Sequence, residues 1–532
     1  MTVRRWMAGV AAVAMVSVLG TSVGARASVN DEASSVSGPG IVVPFVPGPP
    51  LWRPAVDRLR PLVKTTDLDV VVDQCVSDAM AAMDTPGAAV AVVVDGTVVY
   101  EQGYGFTRRN GSDPVDADTQ FRIGSVTKML TAAAVMQQVE AGTVALDDPL
   151  SRFVPELELL GPWPADEITV ERLLTHASGI PDLSFSPAGL TGDDALSHWA
   201  ASLTWVGLHA PPGAFFNYSN PNYNLAGLVV ERASGMPYRA YMDAHVFGPA
   251  GMTKTTFDPA AVVARGNAAY GHLADGQGGE TVYAPDQYDN GAFAPAGYAF
   301  STAGDLVRWA MLLSEGGGDV LSPTSAAAMQ TLQRSLQTIP GIGYGYGVFV
   351  EPFYDLTVRE HGGNIWGWGA YLLWQPERRF AVAVLANTFS SLPDAAYCIA
   401  DEVLEPDHTA VQELPPLDPG RMALFEGRYD ASVTTAWSAS SPYPIMAELS
   451  AYDDDSMFLH LWDPDSPWDA LWGLDHAALD VFYVDVDMDG VYDLDATLLV
   501  SEGSPERTRW LRMRQLVGHP QVEPRAGGRL VP

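Results

Sequence analysis

The stretch at 123–130, "IGSVTKML", holds a residue this chain hardly uses. Of its 30 basic residues only Lys64, Lys128 and Lys254 are lysines; arginine fills the other positions. Lys128 follows Ser125 by three residues, at the start of an apolar run with helical spacing, so both side chains are expected on one helix face about a turn apart. A serine hydroxyl is a weak nucleophile until a base takes its proton. Lysine can be that base where burial and a helix N-terminus disfavour its charge, and arginine cannot. Ser-x-x-Lys alone is common by chance, and an ordinary exposed lysine is the competing reading.

Working outward, 68–83 repeats apolar residues with helical spacing up to Pro86-Gly87. "AAVAVVVDGTVVYEQGYG" gives two β-rich runs joined at Asp95-Gly96, a strong hairpin signal. The run 124–140 reads as a helix stopped by Gly142. Residues 130–290 look mostly helical or irregular, and 344–350, 361–375 and 379–386 look β-rich. "SLPDAAYCIADEVL" then closes the block as a helix. The order helix, strands, helical middle, strands, helix predicts an α+β fold: one antiparallel sheet with the terminal helices packed on it. Beyond Pro415-Pro416, short runs such as "SMFLHLW" and "LDVFYVDVD" predict a separate all-β barrel or sandwich.

At 532 residues the chain is long enough for two or three domains. Its formal charge of −34 excludes a basic nucleic-acid footprint, so no nucleic-acid partner is expected. Arg4-Arg5, an apolar stretch to about residue 20 and Ala25-Arg26-Ala27 read as a cleaved signal peptide over 1–27, which predicts export without stable membrane insertion. A Pro-rich linker follows at 28–66. The part that carries Ser125 and Lys128 is placed at 67–415, the C-terminal β part at 416–518 and a tail at 519–532. Cys75 and Cys398, the two cysteines, are open to being either one disulfide or two buried thiols.

Two downstream segments supply partners for Ser125 and Lys128. "FNYSNPNYNLAG" holds Tyr218, able to relay a proton, and Asn220, able to hold the lysine or a substrate amide. "REHGGNIWGWGAYLLW" opens a strand with His361, Gly362 and Gly363. Glycines there let a substrate lie along the strand, where a backbone N–H can face a developing oxyanion.

With these motifs assembled, the chain resembles the serine β-lactamase and penicillin-binding-protein superfamily, and within it the class C β-lactamase-related hydrolases. Segments such as "DTQFRIGSVTKMLTA", "ITVERLLTHASGIPD", "YSNPNYNLAGLVVERASG" and "AGYAFSTAGDLVRW" carry the resemblance over roughly 67–410. It implies the β-lactamase/transpeptidase-like sheet with a large helical region, working without cofactor or metal on a small-molecule or peptide substrate. It further implies that Ser125 is acylated, that Lys128 accepts its proton, and that Tyr218 is a shared acid/base. Asn220 would orient Lys128 and the substrate, and the backbone N–H groups of Ser125 and Asn364 would form the oxyanion hole. His361, Gly362 and Gly363 take the third motif, where β-lactamases usually carry Lys-Thr-Gly. A titratable ring in place of a fixed charge favours a D-amino-acid peptidase, carboxypeptidase or esterase. β-Lactam hydrolysis, or a non-catalytic relative that binds peptidoglycan fragments or β-lactams, are the alternatives.

Trp366 and Trp368 are candidates to wall an apolar pocket or simply to pack. His176 in "LLTHASGIPD" is read as shaping the site, and "DVDMDGVYDLD" as a hairpin rather than a calcium loop, since Ala496 stands where Glu is needed. The C-terminal part resembles the lipocalin-like domain appended to these hydrolases. The family fold also brings its first and last helices together, which favours a Cys75–Cys398 disulfide. The oligomeric state is not legible.

Overall fold

The computed structural model describes residues 68–161, 163–183, 190–274, 279–287, 289–336 and 341–410, and the backbone of strands between 427 and 520. The signal-peptide, linker and 415–416 boundary readings lie outside the described residues, as do residues 485–493 of the acidic loop and the tail from 521 on. His519 and Pro520, expected to begin that tail, instead belong to the strand Leu516–Pro520 and pair with Asp430 and Tyr429. Among the described residues no helix is long and apolar enough to cross a membrane.

The chain enters through α1 (Leu68–Ala82) and the hairpin β1 (Gly87–Val94) and β2 (Thr97–Gly105), whose turn has positive φ at both Asp95 and Gly96. That is the backbone a two-residue hairpin loop needs. A short strand β3 (Phe121–Arg122) leads into a 3₁₀ turn at Gly124–Val126 and then α2 (Thr127–Glu140). The helical middle contributes α3 (Asn220–Ser234), the β4 (Gly271–Ala274) and β5 (Glu280–Tyr283) hairpin, and the short α4 (Ala294–Gly297) before β6 (Phe300–Ser301). The rest of the sheet follows as β7 (Arg334–Ser335), β8 (Gly343–Tyr344), β9 (Phe349–Phe353), β10 (Leu356–Ile365), β11 (Trp368–Gln375) and β12 (Phe380–Ala386). Helix α5 (Pro393–Leu404) ends this part.

Eight of these strands form one antiparallel sheet in the order β2-β1-β12-β11-β10-β9-β8-β7, while β3 pairs separately with β6 and β4 with β5. Its centre is buried on both faces, which explains why β1 ("GAAVAVVV") is apolar at every position rather than at alternate ones. Ala89, Ala91 and Val93 face the helical middle, while Ala88, Val90 and Val92 face α1 and α5. Those two helices are tied by a disulfide between Cys75 and Cys398, whose Cα atoms are 5.8 Å apart. Closing so long a loop stabilises by about 5 kcal/mol on a chain-entropy account.

Two expectations change in detail. The predicted run 361–375 is two strands, β10 and β11, folded back at Trp366-Gly367. The β-rich segment at 344–350 is likewise split between β8 and β9. Between 427 and 520 the described strands pair antiparallel in sequence order, and Gly427–Val433 also pairs with Leu516–Pro520.

Candidate active site

Helix α2 lies deep in the molecule. From Phe121 to Met136 every residue is buried except Ser125, which is partly open. A helix apolar on all sides is a central one, so the sequence around Ser125 makes a wall with one polar opening. The same holds from Phe215 to Val230, where Tyr218 alone is partly exposed.

Lys128 is fully buried, and its Nζ donates to the carboxamide Oδ1 of Asn220 (2.7 Å), the carbonyl of Ala296 (2.7 Å) and the Oγ of Ser125 (2.9 Å). Two of these acceptors are carbonyl oxygens, which can only accept. A neutral amine has two N–H bonds and one lone pair. With both N–H bonds held by Asn220 and Ala296, the lone pair of the neutral form is left facing the Ser125 hydroxyl. The site is therefore built so that losing one proton turns Lys128 from a donor into an acceptor towards Ser125. The Nζ also lies 4.9 Å from the centre of the Tyr218 ring.

Tyr218 and Asn220 are held by the segment 176–182. The Asn217 N–H donates to the His176 carbonyl (2.7 Å), the Ser219 N–H to His176 Nδ1 (3.1 Å), and the Asn220 N–H to Asp182 Oδ1 (2.9 Å). The His176 ring is 4.2 Å from that of Tyr218. His176 is thus a positioning residue, in line with its reading from sequence, and Asp182 does for Asn220 what His176 does for Tyr218. Asp182 and the Ala296 carbonyl were missed as individuals, although both lie in segments with family character.

The third motif approaches from the sheet. Pairing of β10 with β9 stops at Glu360–Phe349, while pairing with β11 continues to Ile365–Trp368. Residues 361–365 thus lose their β9 partner, and the Ser125 turn packs against this stretch of β10. A Cβ on Gly363 would fall 2.1 Å from the Ile123 carbonyl oxygen and 2.7 Å from the Ser125 nitrogen. A Cβ on Gly124, whose φ is +50°, would fall 2.6 Å from the Asn364 nitrogen. Glycine at 124 and 363 is what allows the two backbones to meet, and it brings Ser125 N and Asn364 N to one place.

Gly362 and His361 depart from the expectation of substrate contact. The missing Cβ of Gly362 points to Tyr371 and Ser391, on the sheet face away from Ser125. His361 is buried and both its nitrogens are engaged: Nδ1 with the Gly362 carbonyl (2.6 Å), Nε2 with the Tyr344 hydroxyl (3.0 Å). Since the carbonyl can only accept, the proton is on Nδ1 and Tyr344 donates to Nε2. Burial, aided by the nearby charge of Lys128, lowers the His361 pKa to about 3. The ring that sequence presented as titratable is a neutral spacer, 6.3 Å from the Tyr218 ring.

Trp368 packs inward with its indole N–H on the Ala269 carbonyl (2.9 Å). Trp366 remains partly exposed, with φ +44°, and Gly367 follows at +88°. A bulky aromatic in the left-handed region costs about 1–2 kcal/mol. Its indole N–H donates to the Tyr298 hydroxyl (3.0 Å) and its ring lies 5.9 Å from that of Tyr283. Beneath Tyr298 sits the buried guanidinium of Arg122, 5.0 Å from the ring centre, donating to the Tyr298 and Pro285 carbonyls. Burial pulls its pKa down to about 10. Among the described residues no group of three or more His, Cys, Asp or Glu side chains is arranged to hold a metal.

A family model described as "Beta-lactamase" matches residues 72–405. Penicillin-binding protein 4 of Amycolatopsis lactamdurans is 32% identical over 311 residues, 57% of this chain and 81% of that protein. Protein flp of Staphylococcus aureus (strain MW2) is 25% identical over 324 residues, 61% of this chain, and the chain spans only 64% of the length of that relative. The solved structure of the octameric penicillin-binding protein homologue from Pyrococcus abyssi superposes with a TM-score of 0.57 at 25% identity, covering 84% of this chain and 99% of that one. With the family model spanning most of the chain, and with the sheet, the Ser125–Lys128 pair and the Tyr218–Asn220 segment in place, the chain belongs to the β-lactamase family.

Proposed function

We propose that the protein is a serine hydrolase that cleaves an amide or ester bond through an acyl-enzyme on Ser125. The observation that carries this is the arrangement around Lys128, whose two carbonyl partners leave its third position for the Ser125 hydroxyl. In the proposed reaction Ser125 Oγ attacks the substrate carbonyl as its proton passes to Lys128 Nζ. The Ser125 and Asn364 N–H groups receive the oxyanion, and Tyr218 hands a proton to the departing amine or alcohol. Water, activated by the same Tyr218–Lys128 pair, then releases the acid and frees Ser125.

The substrates we favour are D-amino-acid peptides and amides, or carboxylic esters. A neutral, buried His361 offers no fixed positive charge to the carboxylate of a β-lactam, which places β-lactams behind them. We further propose export: the Arg4-Arg5 and apolar segment reads as a signal peptide, and a structural disulfide suits an oxidising compartment. The lipocalin-like identity of the C-terminal strands belongs to the same proposal.

A panel of D-alanyl-D-alanine peptides, D-amino-acid p-nitroanilides, p-nitrophenyl esters and nitrocefin tests it. Turnover of an ester or D-amino-acid substrate that disappears in S125A is the expected result. Turnover that survives in S125A, or binding of these ligands without any turnover, overturns it.

A further inference from the structure

Trp366 occupies the position where a two-residue hairpin loop ordinarily carries Asn, Asp or Gly, because both loop residues need positive φ. Here the loop is Trp366-Gly367 between β10 and β11, and its backbone is clamped. The His272 N–H donates to the Gly367 carbonyl (2.9 Å), and a Cβ on Gly271 would strike the Trp366 carbonyl oxygen at 2.5 Å. An indole held in this conformation by its surroundings points to use rather than to packing preference.

The place it is held matters. Trp366 lies two residues beyond Asn364 on the strand that runs along the Ser125 turn, about 7 Å at the usual rise of an extended chain. Its hydrogen bond goes to Tyr298, two residues beyond the Ala296 carbonyl that holds Lys128. The Trp366–Tyr298 contact therefore joins the strand that carries Asn364 to the segment whose Ala296 carbonyl holds the Lys128 amine. With Tyr283 it makes an aromatic wall at the edge of both.

Resting on the Ser125 acyl-enzyme reading, we infer that Trp366 is the specificity-determining residue for the acyl half of the substrate. It favours acyl groups that carry an aromatic or large apolar side chain, and Tyr298 positions its indole. A carbonyl seated at the Ser125 and Asn364 N–H groups would send a substituent of benzyl length along β10 to this wall. An apolar contact of that size commonly discriminates by ten- to two-hundredfold.

The test compares kcat/KM for D-phenylalanine and D-alanine p-nitroanilides, and for p-nitrophenyl phenylacetate and acetate, in the wild type, W366N, W366F, Y298F and S125A. The expected result is a wild-type preference for the aromatic partner of each pair. W366N should lower that ratio about tenfold or more, W366F should keep most of it, and Y298F should lower it less than W366N. A general loss of packing would lower both members of a pair and leave the ratio alone. An unchanged ratio in W366N, with turnover still abolished by S125A, overturns the wall alone. Turnover that persists in S125A overturns the acyl-enzyme reading, and the wall with it.

Discussion

Lys128 Nζ and Asn220 Oδ1 are 2.7 Å apart inside a wall of buried side chains, so the charge state of one sets the behaviour of the other. A carboxamide holds one N–H of the lysine whether the amine is charged or neutral. A carboxylate in the same place would form an ion pair and hold Lys128 as ammonium. N220D should therefore move the acid limb of the kcat/KM profile upward by about 1–3 pH units. N220A should lower kcat with a much smaller displacement. A pH–rate profile of N220D that overlays the wild type would show that Lys128 is not the base.

His361 should be silent across the working range. Its pKa near 3 leaves the ring neutral, with the proton on Nδ1, at any pH above about 4. Nitrogen-15 NMR of the imidazole between pH 5 and 8 should show one neutral tautomer with no titration. Y344F, which removes the donor to Nε2 but leaves the burial and the Lys128 charge that hold the pKa down, should leave the ring neutral over the same range. A wild-type His361 that titrates near its ordinary value would contradict the buried arrangement.

On the opposite sheet face, Glu351 and Glu360 are buried with Tyr371 and Tyr397, and Tyr397 donates to Glu351. Burial raises the Glu351 pKa to about 7; Glu360 is raised well above the ordinary range by burial and then by the charge of Glu351. Unfolding returns both to about 4.3. Above that pH the folded state binds more protons than the unfolded one, so stability falls as pH rises from about 4.5 through 7 and beyond. Melting temperatures at pH 5 and pH 8 should show the loss, and E360Q should shrink it. Equal losses in E360Q and the wild type would mean the pair is not protonated in the fold.

Sequence reveals some of this site better than the rest, for physical reasons. Ser125 and Lys128 were legible because their relation is local, three residues within one turn. Asn220 was legible from its surrounding segment. Ala296 was not, because it acts through a carbonyl that every residue possesses. His361 was misread in its state: a histidine on a strand titrates or stays neutral according to what packs on it, and Tyr344 arrives from another strand. The sheet was predicted in outline, yet β10 and β11 were merged, since a tryptophan gives no sign of a turn. That same departure marks Trp366 as a place where the chain tolerates strain.

The central claim, that Ser125 is a nucleophile activated by Lys128, is tested most directly by peptide mass spectrometry after brief exposure to a fluorophosphonate. One adduct should form, on the peptide containing Ser125, and the rate of labelling should fall by about three orders of magnitude in K128M. An adduct on another residue, or labelling of Ser125 at the wild-type rate in K128M, would contradict it.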